Sequence, residues 1–164
     1  MTRMKLVTAR GARIPALGLG TWELEGTTCA DRVADALAMG YRHVDTAQKY
    51  GNHEEVGRGL ARATGVGRDE IFLTTKVWFE RLEHDEVLAS TERSLRELDT
   101  DYVDLLLVHW PNPDVSIAET LDAMAQLREK GYVRHLGVSN FTPSQLEEAV
   151  EHEPELVCNQ VEYH

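Results

Sequence analysis

Val103-Asp104-Leu105-Leu106-Leu107-Val108 is apolar apart from one aspartate, and its side chains do not alternate between polar and apolar. A strand with one wet face would alternate, so this run reads as a parallel strand covered on both faces. Outward from it the same unit recurs: a short aliphatic or β-branched run, a polar turn, then a helical period. The pattern predicts strands at residues 17–19, 43–45, 71–77, 103–109, 134–139 and 157–161, preceded by a separate hairpin, 5–9 and 13–14, turning around Gly11. Successive strands start about 25 to 32 residues apart, the unit length of a (β/α)8 TIM-type barrel, which needs about 250 residues for eight units. The 164 residues hold about six. A doubly wound sheet of five or six strands is the alternative. Its dinucleotide fingerprint is not completed, because Gly18-Leu19-Gly20-Thr21 runs on into Trp22-Glu23.

The helices between the strands carry their own punctuation. Asn52 with Glu55, Ser116 with Glu119 and Thr142 with Gln145 have capping-box spacing; Pro143 suits a first turn, and Gly40 and Gly131 suit C-terminal caps. Ile117, Leu121, Met124 and Leu127 form one apolar stripe, and Val87, Thr91, Leu95 and Leu98 another, each suited to lie on a sheet.

Composition narrows the partners. A net charge of −11 opposes binding to nucleic acid or anionic membranes, both of which are held chiefly by Lys and Arg. Arginines outnumber lysines and acidic residues are spread along the chain, which suits a high-salt cytoplasm as well as an ordinary acidic enzyme. Cys29 and Cys158 lack metal-ligand spacing and the density of a disulfide scaffold, as in a reduced compartment. No run approaches the roughly 20 apolar residues of a membrane span, and the first residues lack an apolar run of signal-peptide length. A cytoplasmic location is expected.

In parallel α/β folds ligands collect at the carboxyl ends of the strands. The polar residues there are Asp45, Lys76, His109, Ser139 with Asn140, and Glu162-Tyr163-His164. An ionisable group just past a buried strand is costly unless paired, so Asp45 and Lys76 are expected to be partners. Tyr50 follows Asp45 by one short loop and can reach the same mouth. A phenol is a weak acid, but a neighbouring ammonium stabilises its phenolate, so Lys76 beside Tyr50 would make a usable proton donor. His109 could hydrogen-bond a substrate oxygen; a structural histidine is the plainer alternative.

The run of motifs is then specific. Gly18-Leu19-Gly20-Thr21-Trp22, Tyr41-Arg42-His43-Val44-Asp45-Thr46-Ala47, Tyr50-Gly51-Asn52-His53-Glu54 and Thr75-Lys76-Val77-Trp78 come in order. They are followed by Asp101-Tyr102-Val103-Asp104-Leu105, His109-Trp110-Pro111, Gly137-Val138-Ser139-Asn140-Phe141 and Asn159-Gln160-Val161-Glu162-Tyr163-His164. Together they resemble the successive signatures of the aldo-keto reductases, most closely the prokaryotic 2,5-diketo-gluconate reductase-like members that reduce small aldehydes and keto-sugar acids. The resemblance implies NADPH-dependent reduction of a carbonyl without a metal. It implies Tyr50 as proton donor, Lys76 held by Asp45 as its partner, and His109 orienting the carbonyl. Ser139, Asn140 and Gln160 would hold the nicotinamide carboxamide, Gly20, Thr21 and Asp45 would line the same part of the NADP(H) site, and Trp22, Trp78, His109 and Trp110 would wall the substrate pocket.

Family members continue past the Tyr-His motif with two more strands and a C-terminal loop. Residues 1–164 are therefore expected to form a single barrel domain stopping after six strands, with two open edges able to self-associate or to accept a complementing chain. The alternatives are a catalytically silent fragment that associates through those edges and a small doubly wound domain with vestigial motifs.

Overall fold

The computed structural model describes residues 4–163. A two-stranded antiparallel hairpin, β1 (Leu6–Ala9) and β2 (Ala12–Pro15), comes first. Its two turn residues, Arg10 and Gly11, both take positive φ (43° and 86°), the geometry that matches the twist of the flanking strands. Six parallel strands follow: β3 (Leu19–Gly20), β4 (His43–Asp45), β5 (Phe72–Val77), β6 (Val103–Val108), β7 (Val133–Ser139) and β8 (Asn159–Gln160). Between them lie α1 (Gly26–Ala38), α2 (His53–Arg62), α3 (His84–Glu97), α4 (Ile117–Glu129) and α5 (Pro143–His152).

Each strand pairs with its neighbours in sequence, in the order β3-β4-β5-β6-β7-β8. A doubly wound sheet would need a reversal of that order. The strands instead curl into half a barrel. Residues that alternate along β5 and β6 go to two different cores: Leu73 and Leu106 pack towards the helices, while Phe72, Leu105 and Leu107 join Ala12 of the hairpin and Val157 in a second cluster. Both faces are covered, which is why the sequence of β6 does not alternate. Its single carboxylate, Asp104, is buried and accepts from Arg68 Nη1, Arg134 Nη1 and the Leu73 backbone N–H, each at 3.0 Å.

The helix stripes are buried apart from the half-buried Ile117, with Leu121, Met124 and Leu127 on α4 and Val87, Thr91, Leu95 and Leu98 on and just past α3. Gly40 (φ 102°) and Gly131 (φ 80°) follow α1 and α4 in the left-handed conformation that ends a helix. On α2, Gly57 and Gly59 allow close approach. A Cβ at Gly57 would stand 2.7 Å from the Leu98 carbonyl oxygen, and one at Gly59 2.6 Å from Val33 Cβ.

Only one of the three capping boxes forms. Thr142 and Gln145 satisfy each other's backbone at α5. Asn52 and Ser116 precede their helices, but neither side chain caps its own helix. Glu119 is used elsewhere, its carboxylate accepting the His84 N–H at 3.1 Å at the start of α3. A neighbouring helix end competed for it. Among the described residues no helix is long and apolar enough to cross a membrane.

Candidate active site

Parallel pairing brings the carboxyl ends of the strands to one rim. Asp45 ends β4, Lys76 is next to last in β5, His109 directly follows β6, Ser139 ends β7 and Gln160 ends β8. Lys76 is 2% exposed, so its ammonium depends on protein partners. It has one for each of its three N–H bonds: an ion pair with Asp45 Oδ1, Tyr50 Oη at 3.2 Å and the Thr46 carbonyl at 3.3 Å. The second Asp45 oxygen accepts from Gln160 Nε2 at 2.8 Å. Because the Tyr50 oxygen accepts from Lys76, its own hydrogen is left to be given to another acceptor.

Tyr50 sits at the end of a single 3-10 turn, Gln48–Tyr50, closed by Gly51 at φ 64°. The turn presents the phenol between Trp22 (ring centroids 4.9 Å apart) and His109 (5.7 Å), both edge-on. Trp78 also meets the His109 ring edge-on, with centroids 5.3 Å apart. Burial, together with the nearby Lys76 charge and partly offset by Asp45, lowers the His109 pKa to about 4. The imidazole is neutral near neutral pH, with one N–H donor and one acceptor nitrogen. Its Nδ1 is buried and has no hydrogen-bond partner among the described residues. A buried lone pair is tolerated better than a buried orphan N–H, which favours the proton on Nε2.

Asn140 takes φ 60°, a left-handed conformation that asparagine accepts more readily than most residues. Its amide thereby reaches the His109 carbonyl at 3.0 Å and Ser139 Oγ at 2.9 Å, while Ser139 Oγ donates to the Gln160 carbonyl at 2.9 Å. These bonds tie the rims of β6, β7 and β8 together.

An open cavity of about 660 Å³ runs along this rim. Tyr50, His109, Trp22, Trp78 and Trp110 line it, together with Ser139, Asn140 and Gln160. Asp45 and Lys76 lie directly behind Tyr50. Thr21 is placed differently from the expectation: it is fully buried, and both its N–H (3.0 Å) and its hydroxyl (3.2 Å) bond the Asp45 carbonyl, so it latches β3 to β4. Gly20 pairs with Asp45 in the ladder and has open space where a side chain would be. Tyr163 is 97% exposed, and His164 lies outside the described residues.

Two residues that the sequence reading passed over belong to the site. Lys49 lines the cavity with its ammonium 4.8 Å from the centre of the Trp78 ring. Asn52, read as a helix cap, is buried beneath the loop carrying Trp22, where its amide donates to the carbonyls of Thr21 (2.8 Å) and Leu24 (2.9 Å) and accepts from Thr46 Oγ1 (3.0 Å). Lys49 adjoins Tyr50 in sequence, which was a usable signal. Asn52 gave none, since its partners are brought to it only by the fold.

Comparison with known proteins gives the family and the fold. The family model described as aldo/keto reductase family matches residues 16–164. A methylglyoxal reductase, DkgB, of Salmonella typhi is 45% identical over 139 residues, covering 84% of this chain and 52% of the relative. A glyoxal reductase of Bacillus subtilis is 42% identical over 156 residues, covering 94% and 56%. The solved structure of a Bombyx mori aldo-keto reductase in complex with NADP superposes with a TM-score of 0.91 at 35% identity, over 99% of this chain and 59% of that one. The chain thus spans somewhat over half the length of these relatives.

Proposed function

The chain belongs to the aldo/keto reductase family, and on that premise we propose that it serves NADP(H)-dependent reduction of a small aldehyde or ketone to the alcohol, with Tyr50 as the proton donor. The observation that carries this reading is the saturation of the Lys76 ammonium by Asp45, Tyr50 and Thr46, which leaves the Tyr50 hydrogen free to be given away.

The residues along the cavity fit a nicotinamide. Ser139, Asn140 and Gln160 line the cavity; the Ser139 hydroxyl and the Asn140 N–H groups are bonded within the rim, so the Asn140 and Gln160 amide oxygens and the second Gln160 N–H are the groups offered to a planar carboxamide, and the open space at Gly20 allows close approach beside Asp45. When bound, the reduced nicotinamide supplies hydride to the carbonyl carbon. The neutral His109 donates its Nε2 hydrogen to the carbonyl oxygen and orients it. Tyr50 then transfers its proton to that oxygen, and the phenolate left behind faces the Lys76 ammonium, itself held by Asp45. Trp22, Trp78 and Trp110 give the cavity an apolar wall suited to small carbonyl compounds. The names of the relatives make methylglyoxal the first substrate to try.

The test is NADPH consumption with methylglyoxal, wild type against Tyr50→Phe. Phe keeps the contacts with Trp22 and His109 and removes only the hydroxyl. The expected result is a loss of at least about 10²-fold in kcat, the lower range for general acid catalysis. A Phe variant as fast as wild type, or a folded wild-type chain that consumes no NADPH, would overturn the reading.

One observation favours a second reading, a module that acts by association. Among the described residues β3 and β8 each have a single strand neighbour, and unpaired edges invite pairing with another strand. We propose one domain over residues 1–164 that self-associates through these edges; a monomer throughout the micromolar range in sedimentation equilibrium would refute this.

A further inference from the structure

Gln48 does not line the cavity that holds Tyr50 and His109, yet its side chain is bonded at both ends. Its Oε1 accepts the Trp78 backbone N–H at 3.1 Å, and its Nε2 donates to Ser94 Oγ on α3 at 3.2 Å. The Ser94 hydroxyl gives its own hydrogen to the Ser90 carbonyl at 2.9 Å, so only a lone pair remains for Gln48. The amide orientation is therefore fixed by chemistry: an N–H must meet its oxygen and a lone pair must meet its nitrogen. Ser90 and Ser94 are each 1% exposed, which makes α3 a firm anchor.

The bonds have a direction of effect. Gln48 opens the turn that ends in Tyr50, and Trp78 follows Lys76 by two residues on the same extended stretch. One amide thus ties the segment bearing the phenol to the segment bearing the ammonium. It also sets Trp78, whose ring packs on His109. The segments bearing the phenol, the ammonium and the indole that packs on His109 are joined by one side chain that lies outside the cavity.

We propose that Gln48 is a positioning residue for proton donation by Tyr50; this rests on the reductase reading above. Loss of its amide would let Tyr50 drift relative to Lys76 and His109, while Trp22, Trp110 and the β7 and β8 side of the cavity, which Gln48 does not touch, stay in place. Misplacement of this kind costs rate more than affinity.

The experiment compares wild type, Gln48→Met and Gln48→Glu. Met has similar length and no hydrogen bond, whereas Glu keeps an acceptor for the Trp78 N–H, and its second oxygen can take the Ser94 hydrogen once that hydroxyl turns from the Ser90 carbonyl. With methylglyoxal and NADPH, Gln48→Met should lose roughly 10- to 100-fold in kcat with KM within about twofold of wild type, and Gln48→Glu should recover most of the loss. Hydrogen exchange read by NMR gives a second measurement that needs no activity: the Trp78 amide should lose protection in Gln48→Met and keep it in Gln48→Glu. Wild-type kcat in Gln48→Met, or a loss of rate that Gln48→Glu does not restore, would overturn the proposal. Should the wild-type chain prove inactive, the reductase reading falls and the proposal falls with it, whereas an active wild type with unchanged Trp78 protection in Gln48→Met overturns the positioning role alone.

Discussion

Replacing Asn52 separates two jobs that an asparagine in front of a helix can do. If it capped α2, Asp would serve as well, because Asn and Asp are near-equivalent N-caps. In the structure its amide is instead a buried cross-link, 3% exposed, donating to the carbonyls of Thr21 and Leu24 and accepting from Thr46. Asn52→Ala removes three hydrogen bonds. The Thr21 carbonyl keeps its bond from the Leu24 N–H at 3.1 Å, but the Leu24 carbonyl loses this partner. At about 1 kcal/mol per bond, and more where a buried group is left unsatisfied, the cost is about 3 to 5 kcal/mol. For a chain of this length that lowers Tm by roughly 10 °C. Asn52→Asp should be at least as damaging, since a carboxylate would face two carbonyl oxygens. The segment so released carries Glu23 at φ 62° and Trp22 against Tyr50, so Trp22 fluorescence should also shift before global unfolding. Urea and thermal denaturation of the three proteins provide the measurement. An Asp variant as stable as wild type, or an Ala variant that loses less than about 1 kcal/mol, would refute the cross-link.

The remaining predictions concern acid and packing. Because His109 is held down to about 4 in the folded state, the unfolded chain takes up its proton first as pH falls below about 6.5, so stability present above that pH is lost progressively between 6.5 and 4. Burial lowers His43, His53 and His135 in the same direction. The His109 share is up to about 3 kcal/mol; urea midpoints from pH 7.5 to 5 should fall more steeply for wild type than for His109→Gln, and parallel slopes would contradict this. Gly57→Ala should destabilise by about 1 to 3 kcal/mol despite the better helix propensity of alanine, because the new Cβ meets the rigid Leu98 carbonyl. Thermal melting checks it, and a raised Tm would mean that α2 and α3 can move apart freely.

The elements easiest to read in the sequence were those whose cause is local. β5, β6 and β7 are long buried runs, and their ends came within a residue or two of expectation. The expected strands at 17–19 and 157–161 reduce to the pairs Leu19–Gly20 and Asn159–Gln160, since ladder bonds there depend on the neighbouring strand. Asp45, Lys76 and His109 stood out because they end apolar runs, and parallel pairing gathers such ends whatever the loops do. Gln48, Asn52 and Glu119 were opaque for the opposite reason. Each is a polar residue with a partner 28 to 46 residues away, and short-range rules assigned Asn52 and Glu119 to the nearest helix.

The hydrogen bond from Gln160 to Asp45 also serves as a gauge. β4 and β8 stand four ladder steps apart, about 19 Å in a flat sheet, yet the two side chains meet at 2.8 Å across 115 residues of sequence. Only the curl makes that meeting possible. Contacts of such span form after local helices and adjacent ladders, because the chain must first give up the entropy of a long closure. During refolding, ellipticity should therefore recover ahead of this contact, and the carboxylate shared by Lys76 and Gln160 marks the moment at which a row of strands becomes a vessel.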